Sequence, residues 1–344
     1  MIRLKRFPFQ AASLRSDSEV FLWLILQLGS PCQLLGSLLA RKRSQIHRWW
    51  CHGVTCTILL ALAGCGARSS GSTGSVSERG SPPQRIISLS PNVTEILAGV
   101  GAFDRVVAVS EFCDYPPETQ KLPRVGGWQI TSLEQVKALR PDLVIFAQPQ
   151  APFVQTQLNS LGLKNLAVNG LTLREVVEAI EKVGRATGNE VQGESLAKQV
   201  MATLDEVRIK TQQLDRPKVL CVVDRVPGTL RDLYTATEGS FLCELIEIAG
   251  GQCISPRATG GYSKISLEAV VALDPAIVID MVQGAKGRFS ENPGEVWQQL
   301  SEVSAVREGR VYPIRETSVL HPSQFVAGTA RRFAKIVHPE VFPE

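Results

Sequence analysis

Gly126 to Phe146, GGWQITSLEQVKALRPDLVIF, and Gly260 to Asp280, GGYSKISLEAVVALDPAIVID, are two copies of one element. At a constant offset of 134 residues the pairs Gly126/Gly260, Gly127/Gly261, Ser132/Ser266, Leu133/Leu267, Glu134/Glu268, Val136/Val270, Ala138/Ala272, Leu139/Leu273, Pro141/Pro275, Val144/Val278 and Ile145/Ile279 are identical. Each copy also carries an aromatic residue at the same place, Trp128 or Tyr262. A solenoid array repeats every 20–50 residues or so, which excludes that reading. The copies are matching parts of two similar domains, and each domain offers one ring and one acid.

Each copy reads as a helix (Leu133 to Leu139; Leu267 to Leu273), a proline that ends it, and an apolar strand (Leu143 to Phe146; Ile277 to Ile279). The first half opens with a β-rich run, Arg85 to Ser90, a helix reaching Val100 and a strand from Val106 to Ser110. The second half repeats that opening with the strand Lys218 to Asp224, the helix Phe241 to Ala249 and a Gly250-Gly251 terminator. Short apolar strands alternating with helices predict parallel sheets covered on both faces. Between the halves, Thr172 to Leu214 reads as helix with a break at Gly188, and the second piece carries Leu196, Val200, Leu204 and Val207 as an apolar stripe. That stripe suits a connector spanning two domains or an ordinary core helix.

The 344 residues are enough for two domains of ordinary size, and 44% hydrophobic with 20% charged residues is ordinary for a globular chain. The net charge of +4 is unevenly placed. Residues 1–64 hold eight Lys or Arg against two acids, so the remainder carries −2, and nucleic acid is not an expected partner. A basic stretch from Arg41 to Arg48 precedes an apolar run, Val54 to Ala63, too short to span a bilayer, and then Leu62-Ala63-Gly64-Cys65. This tetrapeptide resembles the lipobox of bacterial lipoproteins, which makes Cys65 the lipid-modified N-terminus after export. Gly66 to Gln84 is nearly all Gly, Ser, Pro and charge, a flexible tether. Residues 1–40, with a second apolar stretch from Val20 to Leu28, fit an over-extended gene start or an upstream anchor. The organisation expected is therefore a leader at 1–64, anchor and tether at 65–84, an N-terminal lobe at 85–189, a linker helix at 190–214 and a C-terminal lobe at 215–344.

No Walker loop, HExxH, GxSxG or CxxC stands after Cys65, and Gly99-Val100-Gly101 lacks the third glycine of a dinucleotide fingerprint. His321, which reads as a surface residue, and His338, in a Pro-rich C-terminal tail, are too few for a histidine-built metal receptor, and no catalytic set or metal site is expected. Cys113, Cys221, Cys243 and Cys253 lack metal-ligand spacing. Export permits disulfides, and Cys243 and Cys253, which flank one helix, could pair.

The residues that remain suit binding. Trp128 and Tyr262 follow Gly-Gly pairs in loops, where they either sandwich a large planar ligand or seal their own domains. Thr131-x-x-Glu134 has the spacing of a capping box, but Ile265 replaces the threonine in the second copy, so capping cannot explain both glutamates. Two exposed acids, one per domain, suit docking to a partner with two basic patches.

From Arg85 onward the chain resembles the ABC-transporter substrate-binding proteins with a helical backbone, which serve cobalamin, ferric siderophores and haem. Ser110 to Ile145, with Phe112, Asp114-Tyr115-Pro116-Pro117, Trp128 and Leu133-Glu134, is most similar to the cobalamin-binding members. The resemblance implies an α/β fold, two Rossmann-like lobes with parallel sheets joined by a long rigid helix, with a ligand cleft between them. It implies ligand contacts from Phe112, Tyr115, Trp128, Tyr234, Tyr262 and Glu316, and docking of Glu134 and Glu268 on the membrane permease. It further implies a monomer without intrinsic cofactor or catalysis, whose ATP is hydrolysed by a separate subunit. Where the cobalamin receptor has an Asp and an Arg near the C-terminus, this chain has Glu316 and Leu320. Arg225, Arg231, Tyr234 and Arg315 are candidate replacements.

Overall fold

The computed structural model describes residues 81–256, 258, 260–281 and 292–343. The leader, Cys65 and most of the tether lie outside the described residues. The described chain from Pro82 onward belongs to one compact unit.

The first sheet is wholly parallel, in the order β2-β1-β3-β4, from β1 (Ile86–Ser88), β2 (Val106–Val109), β3 (Leu143–Ala147) and β4 (Asn165–Val168). Its central strands β1 and β3 are buried throughout, as expected for strands covered on both faces. Alternation sends neighbouring residues to opposite sides. Ile86 and Ile145 join one core with α1 (Pro91–Gly99) and α4 (Leu173–Thr187). Ile87, Val144 and Phe146 join another with α2 (Leu133–Ala138) and α3 (Ala151–Ser160).

In the second sheet, β5 (Lys218–Asp224), β9 (Ile277–Met281) and β10 (Val311–Ile314) are parallel. The short β7 (Gln252–Cys253) also runs parallel to β5. The other edge corrects the expectation of parallel sheets, because β6 (Tyr234–Ala236) is antiparallel both to β5 and to β8 (Tyr262–Lys264). The link from Arg225 to Leu233 is too short for a parallel crossover, which needs about a dozen residues or more, so the chain turns back as a hairpin.

The two copies of the repeat share backbone turns at both ends, but they differ between them: Gly261 has φ of 86° where Gly127 has no positive φ, and Tyr262, expected in a loop, opens strand β8 (Tyr262–Lys264). Gly126 and Gly260 have φ of 108° and 106°, and Arg140 and Asp274, each before the shared proline, have φ of 48° and 44°. A Cβ at Gly126 would lie 2.2 Å from the Ile130 carbonyl oxygen, so only glycine closes that loop. The capping box expected for Thr131 and Glu134 does not form. Ser132 is the N-cap of α2, which moves Thr131 one residue outside the helix.

The connector reading of the second helix holds. α5 (Glu190–Thr211), at 22 residues, is about 33 Å long. Near its start Leu196 presses on Gly99 of α1, and at its end the Thr211 hydroxyl donates to the Ile248 carbonyl at 2.7 Å. That carbonyl ends α6 (Phe241–Ile248) of the second half. α4 runs back alongside, turning at Gly188, and its Leu173 N–H donates to Glu244 of α6 at 2.6 Å. A Cβ on Gly184 of α4 would stand 2.9 Å from the Gly193 Cα of α5, so the backbones touch where the helices pack. Buried residues of α4, α5, α6, α10 (Val326–Val337) and the inner faces of both sheets form a single apolar cluster.

The outer face of the second sheet has its own core. It is built on Val270 of α7 (Leu267–Leu273), Trp297 at the end of α8 (Pro293–Trp297), and Ala305 and Val306 of α9 (Ser304–Arg307). Cys243 and Cys253 are joined as a disulfide with a Cα separation of 5.4 Å, while Cys113 and Cys221 are free and buried. Closing so short a loop contributes about 2–3 kcal/mol.

Replacing Gly193 by valine drives a branched side chain into the Gly184 backbone. We expect a loss of about 1–3 kcal/mol in urea unfolding, whereas a valine at exposed Gly328 of α10, whose ideal Cβ meets nothing within 4 Å, should change stability little.

Candidate ligand site and docking surfaces

Ligands of open α/β sheets bind beyond the carboxyl ends of the strands, and the first-half residues predicted to bind gather there. Phe112 and Tyr115 follow β2 and remain 40% and 42% exposed, a high value for aromatic side chains in a packed protein. Their loop is tied down by Arg124, whose guanidinium donates to the carbonyls of Ser110 and Cys113 at 2.8 and 2.5 Å. Trp128 is half-buried on the adjoining loop. A Cβ on Gly127 would sit 3.4 Å from the Phe112 ring, so glycine brings the two aromatic loops together. Buried Gln150 donates to the carbonyls of Leu89 and Trp128 at 3.0 and 3.3 Å, joining the ends of β1 and β3 to the Trp128 loop. Three exposed or half-buried rings thus stand on a hydrogen-bonded rim.

In the second half, Tyr234 pairs with Asp224 at the carboxyl end of β5. Tyr262 pairs with Ala236, which puts both tyrosines on one face of neighbouring strands. Both are half-buried against the shared core. Burial pushes the Tyr262 hydroxyl up, aided by nearby Cys221, and burial likewise raises Tyr234, with Lys264 opposing and Asp232 and Asp224 adding to the rise. These hydroxyls stay protonated donors at neutral pH.

The residues considered as replacements for the missing arginine divide sharply. Arg225 is 4% exposed and its Nε donates to Asp280 at 2.9 Å, an acid that also accepts from Trp297 Nε1 at 2.8 Å. It belongs to a buried ion pair. Arg231 and Arg315 are exposed. Glu316 is exposed and paired with Arg332 of α10. Partial burial acts to raise its carboxyl, but its own backbone N–H and Arg332 outweigh this and hold it below the usual range. Leu320 packs against the shared core.

Glu134 and Glu268 are both exposed in the first turns of α2 and α7. Glu268 is held below the ordinary carboxylate range by its own backbone N–H and the Ser266 hydroxyl. Beside it lies a depression of about 460 Å³ lined by Leu267, Glu268, Val271, Ala272, Leu300 and Glu302. Ile130, 81% exposed, stands in the loop that leads to Glu134.

The family described as periplasmic binding protein matches residues 86–317, which takes in both sheets and both copies of the repeat. The chain belongs to this family. An ABC transporter substrate-binding lipoprotein of Bacillus subtilis, YvrC, is 28% identical over 76% of this chain and 82% of its own length. A vitamin B12-binding protein of Vibrio cholerae is 27% identical over 70% of this chain and 84% of its own. The periplasmic heme-binding protein RhuT of Roseiflexus sp. RS-1 superposes with a TM-score of 0.64 at 24% identity, covering 76% of this chain and 100% of that one. This periplasmic binding protein is thus a substrate-binding protein of an ABC transporter, an extracytoplasmic receptor for a small molecule that works with a membrane permease rather than an enzyme.

One polar cluster escaped the sequence reading. Glu95 of α1 is 1% exposed and meets His321 and Ser323 from the second half, where His321 had read as an ordinary surface residue. The available signal was an acid inside the apolar run Val93 to Leu97, at a position a helix turns inward. His338, expected in a tail, is also buried, with Nε2 3.3 Å from the Gly250 carbonyl oxygen.

Arg225→Ala leaves Asp280 a buried acid without its guanidinium, which costs about 3–5 kcal/mol. Chemical unfolding should show that loss, and an Arg231→Ala change on the exposed link should leave the midpoint nearly unmoved.

Proposed function

We propose that this chain captures cobalamin or a related corrinoid and delivers it to its permease as a lipid-anchored receptor. The observation that carries the ligand is the rim of Phe112, Tyr115 and Trp128, held open to solvent at the carboxyl edge of the first sheet by Arg124, Gly127 and Gln150. Exposed rings on a rigid frame suit a large, flat, partly apolar chelate, because little side-chain freedom is lost on binding. The likeness to a vitamin B12-binding relative supports the same choice. Tyr234 and Tyr262 supply hydroxyl donors from the second half, and Glu316 contributes only if the ligand draws it from Arg332. The alternative, a ferric siderophore bearing negative charge, calls for several free arginines. Arg225 is committed to Asp280, which weakens that reading. Haem remains the second reading, favoured by the fold shared with a haem-binding protein and by the same aromatic rim.

The organisation read from the sequence completes the proposal: Cys65 as the lipidated anchor, the tether to residue 84, lobes at 85–189 and 215–344 and the linker helix at 190–214 between them. A lipoprotein among the relatives supports the anchor. Glu134 and Glu268 dock on basic patches of the permease, with the apolar depression and Glu302 beside one and Ile130 beside the other.

Titration of a soluble form spanning residues 66–344 with cyanocobalamin should give saturable one-to-one binding. Trp128→Ala should weaken it roughly 10–100-fold, the affinity equivalent of losing a stacked ring and its buried area. Absence of binding by the parent protein, with saturable binding of hemin instead, would transfer the assignment to haem.

Glu134→Arg combined with Glu268→Arg should abolish transport in cells while ligand affinity stays at the parent value. Unchanged uptake would remove the docking role.

A further inference from the structure

The halves meet at the carboxyl ends of their sheets through a short stretch of the chain, residues 321–325. Pro322 seats on Gly170, just after β4, where an added Cβ would lie 2.7 Å from the proline ring. The Gln324 amide donates to the Glu95 carbonyl at 2.8 Å. Phe325 meets the Tyr115 ring edge-on, with centroids 5.0 Å apart and planes at 86°. At the centre the Glu95 carboxylate takes both of its neighbours from the other half. His321 Nδ1 lies 2.6 Å from Oε1, and the Ser323 hydroxyl donates to Oε2 at 2.5 Å.

As a source of stability this arrangement is poor. The Glu95 side chain is 1% exposed and that of His321 19%, and taking a carboxylate out of water generally offsets what its partners return. A leucine in the same space would hold the halves together at least as well. The carboxylate instead supplies direction: donors two residues apart, on His321 and Ser323, satisfy two oxygens in one arrangement, and any slide of the segment leaves a buried acid short of partners. The same segment sets Phe325 against Tyr115, so the arrangement reaches the aromatic rim directly.

We propose that Glu95 is a positioning residue for ligand capture: it clasps residues 321–325 onto α1 and thereby fixes both the spacing of the two carboxyl edges and the attitude of Tyr115. The clasp itself follows from the contacts between the halves; its consequence for affinity rests on the binding reading above.

Spin labels on Lys137→Cys and Glu308→Cys, exposed positions on opposite halves, test it in the ligand-free protein. The parent should give one narrow distance distribution, and Glu95→Ala should add a second, displaced population. Glu95→Gln should restore most of the parent distribution, since its amide oxygen still accepts from Ser323 and its amide N–H₂ donates to His321 Nδ1 once the neutral ring carries its proton on Nε2. Where Glu95→Ala does not fold, Ser323→Ala with Gln324→Ala carries the same test. In cyanocobalamin titration the Kd of each variant should rise as the inverse of its clasped fraction. An unchanged distance distribution in a folded Glu95→Ala protein would overturn the clasp, and a displaced population with unchanged Kd would overturn its positioning role. A parent protein that ignores cyanocobalamin refutes the ligand assignment while the distances still decide the clasp.

Discussion

The contact between Gly184 and Gly193 governs the architecture. Because neither residue has a side chain, α4 and α5 approach until their backbones touch, and a Cβ on either residue would fall within about 3 Å of the other's Cα. That approach makes the two helices one rod, with the Glu244 cap and the Thr211 hydroxyl joining it to α6. Around the rod, the inner faces of both sheets drain into a single apolar cluster. Two sheets that share a core cannot swing apart without exposing it, so large hinge closure is disfavoured. On the binding reading proposed above, the ligand would meet a largely preformed site, as is usual for small molecules.

The parts of this arrangement that were legible from the sequence are those in which chemistry repeats. The GGW/GGY copies predicted a matching helix and strand in each half, and even the left-handed residues Arg140 and Asp274 coincide, although Tyr262 lies on strand β8 rather than in the expected loop. Periodicity found the α5 stripe at Val200, Leu204 and Val207, all buried in the structure. What periodicity cannot report is strand direction. The run Tyr234 to Ala236 reads the same whether it pairs parallel or antiparallel, and only the brevity of the preceding link decides it. The capping box failed for a similar reason: the spacing of Thr131 and Glu134 is correct, but the helix starts one residue later, with Ser132 at the N-cap and no capping bond from its side chain.

Side-chain partners formed across long sequence separations were harder still. Arg225 looked like a free cation for a ligand because its partner Asp280 sits in an apolar strand 55 residues away. Glu316 looked like a ligand acid, yet Arg332 lies one helix further along and reaches it. His321 looked like surface because Glu95 is 226 residues distant. In each case the sequence displays one charged group, whereas its surroundings are decided by the pair, which is buried at Arg225 and Glu95 and exposed at Glu316. An unpaired charge would not be tolerated inside, so a lone acid in an apolar helix, as at Glu95, is the one sign of such a pair that a sequence can carry.

The two halves are alike in their outward acids and unlike in their inward rings, and the difference has a direct physical origin. In the first half the ring of the repeat sits on a loop braced from below by Gln150 and from the side by the Phe112 loop, so it stays partly in solvent. In the second, Tyr262 has become part of β8 and is drawn onto the sheet by its pairing with Ala236, which burial of its hydroxyl reflects. The antiparallel edge that the short link creates is therefore also what seats the aromatic of this copy on a strand rather than on a loop. On the binding reading proposed above, the first half would offer the exposed apolar area of Phe112 and Tyr115, and the second two half-buried tyrosines. That division would suit a ligand with one apolar face and a polar periphery, with the larger share of affinity on the loops tied by Arg124 and Gln150.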